Sequence, residues 1–318
     1  MQKLAVAHIE TQKAAEELLR IDETVDVFSS SFLKWLHKEF YSRLPRAFLT
    51  LEFKEENRTV DMVPGEIRDI EVRVGRHYPP RAARLNEFLA RFDQFYSSQD
   101  HDPLTRIIGA AAAHHRLGWI HPFLDGNGRV MRLFSDCLFM KENLGGFGLW
   151  TISRGLARKK EKYYEMLATG DDQRRNDYDG RGNLSDESLG AFCEFFLDVA
   201  IDQVEFMSAM LNLDHFERRL GRLIAILVDR QLVRDEAFFL LRDLFTRGQI
   251  GRGEAPRIMN MNERTARDIV AQLTKLKMVF SETPKSALRL RFNPFFAHFV
   301  FPSLYPETIE FNEFLARN

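Results

Sequence analysis

The sequence predicts a mostly α protein built in two parts, and three observations lead there. Apolar residues recur at three- and four-residue spacing through most of the chain. One stretch between residues 60 and 80 is instead rich in β-formers bracketed by proline and glycine, and the last third resumes the helical spacing but ends in two short β-like pieces. The 318 residues suit roughly two domains of about 150 residues, enough to bury a core without disulfide or metal staples.

Taken in order, residues 6–48 read as helical, with Phe28, Phe32, Leu33 and Leu36 on one face. Residues 60–80 predict a hairpin: Pro64 and Gly65 make a turn, Ile67, Ile70, Val72 and Val74 favour strand, and Gly75 with Pro79-Pro80 ends the run. Helices are expected over 82–96, 103–117, 129–142, 158–167 and 184–212. Beyond them lie helical patterns at 216–232 and 236–245, a connection containing Gly248, Gly251 and Gly253, and a helix over 262–277. Two β-like pieces, 279–282 and 287–292, are joined through Thr283-Pro284-Lys285. Three helices and a small hairpin form a winged-helix pattern. The expected division is an N-terminal helical segment at 1–61, a central domain at 62–205 and a winged-helix-like domain with a tail at 206–318.

Composition excludes more than it assigns. Apolar residues are 45% and charged ones 29%, with 45 Lys plus Arg against 46 Asp plus Glu, the balance of an ordinary globular chain and not of a disordered or polyanion-coating one. Cys137 and Cys193 sit in apolar helical contexts, as buried free thiols do. The amino terminus has no apolar run of signal-peptide length, and no stretch approaches the roughly 20 apolar residues of a membrane span, so a cytoplasmic location without membrane contact is expected.

The segment that carries chemistry is HPFLDGNGRVMR, residues 121–132. After it Val130, Leu133, Phe134, Cys137 and Leu138 follow the spacing of a buried helical face, so a helix begins near Arg129 and the glycine-flanked Asn127 forms its entry. Amides at such an entry lack an intrahelical acceptor and, with the helix dipole, attract anions; Gly126 and Gly128 let a phosphate approach the backbone. Arg129 and Arg132 oppose the dipole unless an anion is present, and residues three apart share a face, so both can reach one polyphosphate. His121 has the unperturbed pKa, near 6.5, of a general base. Asp125 can hold Mg²⁺, and Phe123 anchors the loop in the core. Together these make a phosphoryl or nucleotidyl transfer site.

This segment resembles the signature of Fic-domain proteins, HxFx(D/E)GNGRxxR, at every fixed position. PGEIRDIEVRVGRHYPP resembles that family's flap hairpin, and YYEML at residues 163–167 its helix beside the nucleotide base. The resemblance covers residues 62 to about 200. It implies a Fic helical core with a β-hairpin flap and the transfer of AMP from ATP to a Ser, Thr or Tyr hydroxyl of a target protein. By that carry-over His121 is the base, Asp125 holds Mg²⁺, Gly126, Asn127 and Gly128 bind phosphates, and Arg129 and Arg132 hold the β- and γ-phosphates. The flap would align the target as an added strand. Gly128 favours AMP transfer, because the phosphorylating branch carries Lys there. Tyr163 and Tyr164 are candidates to stack on adenine, although a tyrosine pair is as often core packing. The inhibitory string (S/T)xxxE(G/N) has its nearest counterpart at residues 303–308, ending in Glu307 and Thr308, which reads as a tail.

Rival readings remain. A Fic phosphodiesterase that removes AMP would use the same motif. His114-His115 with His121 and Asp125 suggests a metal phosphohydrolase, but neighbours on a helix point about 100° apart and the spacing matches no zinc pattern. Residues 245–293 hold ten basic against four acidic residues, a net of +6, so a DNA-binding regulator is the third rival, with Arg264 and Arg267 at the base-facing end of the recognition helix and Lys285 at the wing tip. A homo-oligomer stays open.

Overall fold

The computed structural model describes residues 2–53, 58–75, 77–97, 102–144, 150–283 and 286–304. The chain divides into two units, Met1–Glu205 and Phe206–Asn318. The first is helical: α1 (Gln2–Ile21), α2 (Ser30–Tyr41), α3 (Leu85–Tyr96), α4 (Pro103–Ile120), α5 (Asn127–Lys141), α6 (Ile152–Arg158), α7 (Lys160–Thr169) and α8 (Asp186–Leu211), the division falling within α8. The starts of α2, α4 and α6 are marked by polar caps. Asp102 accepts from the amides of Leu104 and Thr105, with Pro103 in the first turn of α4, and Thr151 caps α6. α2 has two anchors, because Asp93 of α3 accepts from the amide and hydroxyl of Ser30, both at 2.6 Å.

α5 packs against α1, α2, α4 and α6. Its Val130, Leu133, Phe134, Cys137 and Leu138 are all buried, the face that the spacing predicted. One apolar cluster runs from Ala7 and Phe32 through Phe134 to Phe196, so the residues before 62 share the core with α4, α5 and α8. Cys137 and Cys193 are free and buried. The helix expected at 158–167 is α7, beginning two residues later, and the short α6 before it was not expected.

The hairpin expected at 60–80 lies earlier. β1 (Thr50–Phe53) pairs antiparallel with β2 (Arg58–Asp61), Thr50 opposite Asp61. The described residues of 62–81 form no strand, only an isolated bridge between Val74 and His77. The cause is Arg68. It is 4% exposed, and its guanidinium donates to the carbonyls of Ile70, Pro80 and His121 while its amide donates to Pro122, so the stretch is tied to loops and not to a ladder. Gly65, at φ +87°, turns the chain where a β-carbon would come within 3.0 Å of Lys38 Cβ on α2. Arg76 lies outside the described residues.

The second unit has its own core. α9 (Leu213–Asp229), α10 (Ala237–Arg247), α11 (Ala255–Ile258), α12 (Glu263–Lys275) and α13 (Pro294–Val300) surround a three-stranded antiparallel sheet of order β3-β5-β4, with β3 at Gln249–Ile250, β4 at Val279–Phe280 and β5 at Leu288–Leu290. Phe216 stacks on Phe245 with ring centroids 3.7 Å apart, and Leu223, Leu241, Ile269, Leu288 and Phe296 fill the interior. Asn262 caps α12 by accepting from the amide of Thr265. The sequence pattern omitted β3, whose two residues leave little periodicity to read. Among the described residues, no helix is long and apolar enough to cross a membrane.

Candidate functional site

The loop between α4 and α5 is held from inside. His121 ends α4 in the left-handed region, φ 49° and ψ 60°, while its amide still donates to Leu117 O at 3.0 Å. A residue with a β-carbon is uncommon there and costs strain that the surroundings must hold. They do so through Phe123, 1% exposed, which stacks under the His37 ring at 3.9 Å. The Asn127 side chain accepts from Phe123 N at 2.9 Å and donates to Phe123 O at 2.7 Å. Asn127 therefore staples the loop with its amide group. Gly126, at φ +81°, starts α5 with no side-chain cap, and a β-carbon there would collide with Tyr41. The amides of Asn127 and Gly128 thus begin a helix with no intrahelical acceptor.

His37 and Tyr41 are site residues that the sequence reading missed. His37 Nδ1 accepts from Gly65 N at 2.8 Å, which leaves Nε2–H to donate to Asp125 O at 3.3 Å. Burial pushes its pKa down to about 4, so it is neutral in this bridge. Tyr41 donates to Asp125 Oδ2 at 2.9 Å and accepts from Arg129 Nη1 at 2.5 Å, while Arg129 Nη2 reaches the same Oδ2 at 3.3 Å. Burial works against an ionised Asp125, but Arg129, the Gly126 amide and Tyr41 outweigh it and hold the carboxyl below its ordinary value. Two polar aromatics four residues apart on an apolar helix face were the available signal in the sequence; for Arg68 it was a lone cation among β-formers.

His121 departs from the value expected of it. Burial, together with Arg68 and His77, depresses its pKa to about 4, against weaker opposing effects of the Gly118 carbonyl and Asp125. With Nδ1 facing Gly118 O at 3.4 Å as donor, Nε2 keeps the lone pair. His121 and Gly128 line one cavity of about 630 Å³ with Trp119, Met131, Tyr164 and Leu167, and Val74, His77 and Tyr78 also border it. At its polar end Asp171 lies 3.6 Å from His77 Nδ1 and 3.4 Å from His115 Nε2.

The other predicted residues separate. Arg132 leans back along α5, its Nη1 3.4 Å from where a β-carbon on Gly128 would stand. His8 of α1 lies near Arg132, and burial and that cation lower its pKa. Among the described residues no carboxylate forms an ion pair with Arg132; Glu307 and Thr308 lie outside them. Tyr163, 2% exposed, is core: its hydroxyl meets His114 Nε2 at 2.8 Å and lies against Arg132. Tyr164, 55% exposed, borders the cavity. His114 and His115 turn to different partners, His114 to Ser135 and Tyr163 and His115 to Leu167 O and Asp171.

Residues 27–139 match the Fic/DOC family. Over 103 residues the chain is 37% identical to the protein adenylyltransferase Fic of Drosophila yakuba, and equally to that of Drosophila melanogaster. The match takes in 32% of this chain and spans only 20% of the length of each relative. Among solved structures, a Fic family protein from Desulfovibrio desulfuricans G20 covers 90% of this chain and 75% of its own at 19% identity, with a TM-score of 0.45.

Proposed function

We propose that this chain, which carries a Fic/DOC family domain, is a protein adenylyltransferase that moves AMP from ATP to a Ser, Thr or Tyr hydroxyl of a target protein. The observation that carries the reading is His121, neutral at pH 7 and lining the same cavity as the uncapped start of α5. The target hydroxyl gives its proton to His121 Nε2 as its oxygen bonds the α-phosphorus. The bond from that phosphorus to the bridging oxygen breaks, and pyrophosphate leaves. Backbone amides of Asn127 and Gly128 receive phosphate, while that of Gly126 holds the Asp125 carboxyl. Arg129 and Arg132 neutralise the β- and γ-phosphates, and Tyr164 is the aromatic surface available to the base.

Asp125 is the residue that would hold Mg²⁺, and it fits: its carboxyl is ionised, its side chain is 39% exposed, and Mg²⁺ is ordinarily bound by one or two carboxylates plus substrate phosphates. When bound the ion supplies charge neutralisation at the phosphate oxygens. Among the described residues, no three His, Cys, Asp or Glu side chains come together to hold a metal unaided.

Incubation with labelled ATP, Mg²⁺ and a cell lysate tests the reading. Wild type should label a protein, and His121→Ala should not, while ATP binding stays within a few-fold. ATP binding without transfer, together with loss of label from a protein already carrying AMP, would replace transfer by removal.

For the second unit we propose a winged helix that binds duplex DNA. The strand order β3-β5-β4 behind α12 and the exposure of Arg264 and Arg267 support it, although Arg267 also lies 3.9 Å from Glu263. Lys285 lies outside the described residues.

A further inference from the structure

Between α4, α5 and α7 three polar side chains are sealed into an apolar core. His114 is 0% exposed, Ser135 0% and Tyr163 2%, and the rings of Phe192 and Phe196 stand 6.2 and 4.8 Å from the His114 ring. Buried polar groups of this kind are tolerated only when every donor and acceptor is matched. Here the contacts favour one order.

At one end Ser135 Oγ lies 3.0 Å from the Met131 carbonyl, which can only accept. Ser135 therefore donates there and accepts from His114 Nδ1–H at 2.7 Å. With Nδ1 protonated, neutral His114 has a bare Nε2, which takes the Tyr163 hydroxyl proton at 2.8 Å. Burial keeps His114 neutral, pushing its pKa down to about 3. The Tyr163 oxygen is left with lone pairs only, and Arg132, which can only donate, lies against it. The reverse order fails at the Tyr163 end, where the hydroxyl proton would point at a guanidinium that can only donate.

We propose that Ser135, His114 and Tyr163 form a one-way chain of hydrogen bonds that holds the Arg132 guanidinium at the start of α5, beside Gly128. Tyr163 is then a positioning residue for bound phosphate and not a platform for a base. The inference deepens the nucleotide-transfer reading and rests on it. It also explains why the two tyrosines of one motif differ in exposure: Tyr164 faces the cavity, and Tyr163 sets the arginine.

The test is Tyr163→Phe in the full chain, with near-UV circular dichroism as the folding control. KM for ATP should rise about tenfold or more, the worth of one charge-assisted hydrogen bond, with kcat little changed. In an Arg132→Ala background the same substitution should change nothing further, because it acts through the residue already removed. Equal effects in both backgrounds, or an unchanged KM in the folded single variant, would overturn the proposal. If Tyr163→Phe does not fold, Ser135→Ala, which removes the acceptor that fixes the His114 tautomer, should raise KM for ATP in the same sense, and an unchanged KM there would overturn the proposal. Solvent exchange of the Arg132 guanidinium protons, followed by NMR without nucleotide, should be slow in wild type and faster in Tyr163→Phe. That readout reports on the chain even if ATP proves not to be the substrate.

Discussion

At His121 a strained backbone and a depressed pKa meet in one side chain. A base must be neutral to accept a proton, and the folded value of about 4 keeps it so through the neutral range. The acid limb of kcat/KM against pH should therefore fall near 4, with activity flat from about 5 to 7; a limb near 6.5 would return His121 to its ordinary value. Arg132→Ala should weaken ATP binding by about 1.5 to 3 kcal/mol, measured by calorimetry. The helix entry at Gly126 to Gly128 was legible because glycines ahead of an amphipathic run mark a helix start. The partners of His121, Asp125 and Arg129 were not: His37, Tyr41 and Arg68 come from up to 88 positions away in sequence, and nothing local in the chain encodes that approach. Tyr163 and Tyr164 show the limit, since adjacent helical positions point in different directions and only packing decides which one faces the cavity.

Among the elements, α6 crosses α8 through a glycine. A β-carbon on Gly155 would stand 2.5 Å from Val199 Cγ1 and 2.8 Å from Gln203 Cγ, so Gly155→Ala should push the helices apart and cost about 1 to 3 kcal/mol in a urea titration. The helices were readable because an amphipathic period survives any tertiary arrangement, as on α5. The hairpin was misplaced because β-propensity describes a side chain's fit to a pleated surface, and at Ile67 to Val74 no second strand supplies one. The true pair, β1 and β2, has a burial pattern with little contrast between its faces, hence a weak alternation in the sequence.

For the molecule as a whole, buried histidines set the response to acid. His8, His37, His114, His115 and His121 all have folded pKa values below the ordinary 6.5, so the unfolded chain binds more protons between those values and 6.5. Stability is then complete above 6.5 and lost as pH falls toward 4. Burial raises Asp136, to about 7, and Asp171, and these two act in the opposite sense. Five groups against two predict a lower melting temperature at pH 5 than at pH 7 by scanning calorimetry. If the second unit binds DNA, retention on duplex should fall steeply with salt, and Arg264→Ala with Arg267→Ala should reduce it; no retention at low salt would end that proposal. Arg68 has one more consequence. Because a single guanidinium joins the backbone at residues 70, 80 and 121, the stretch over the cavity and the loop beneath it cannot open independently. Their amides should exchange with deuterium as one cooperative group, at a common opening energy below that of α5, and Arg68→Ala should split that group into two.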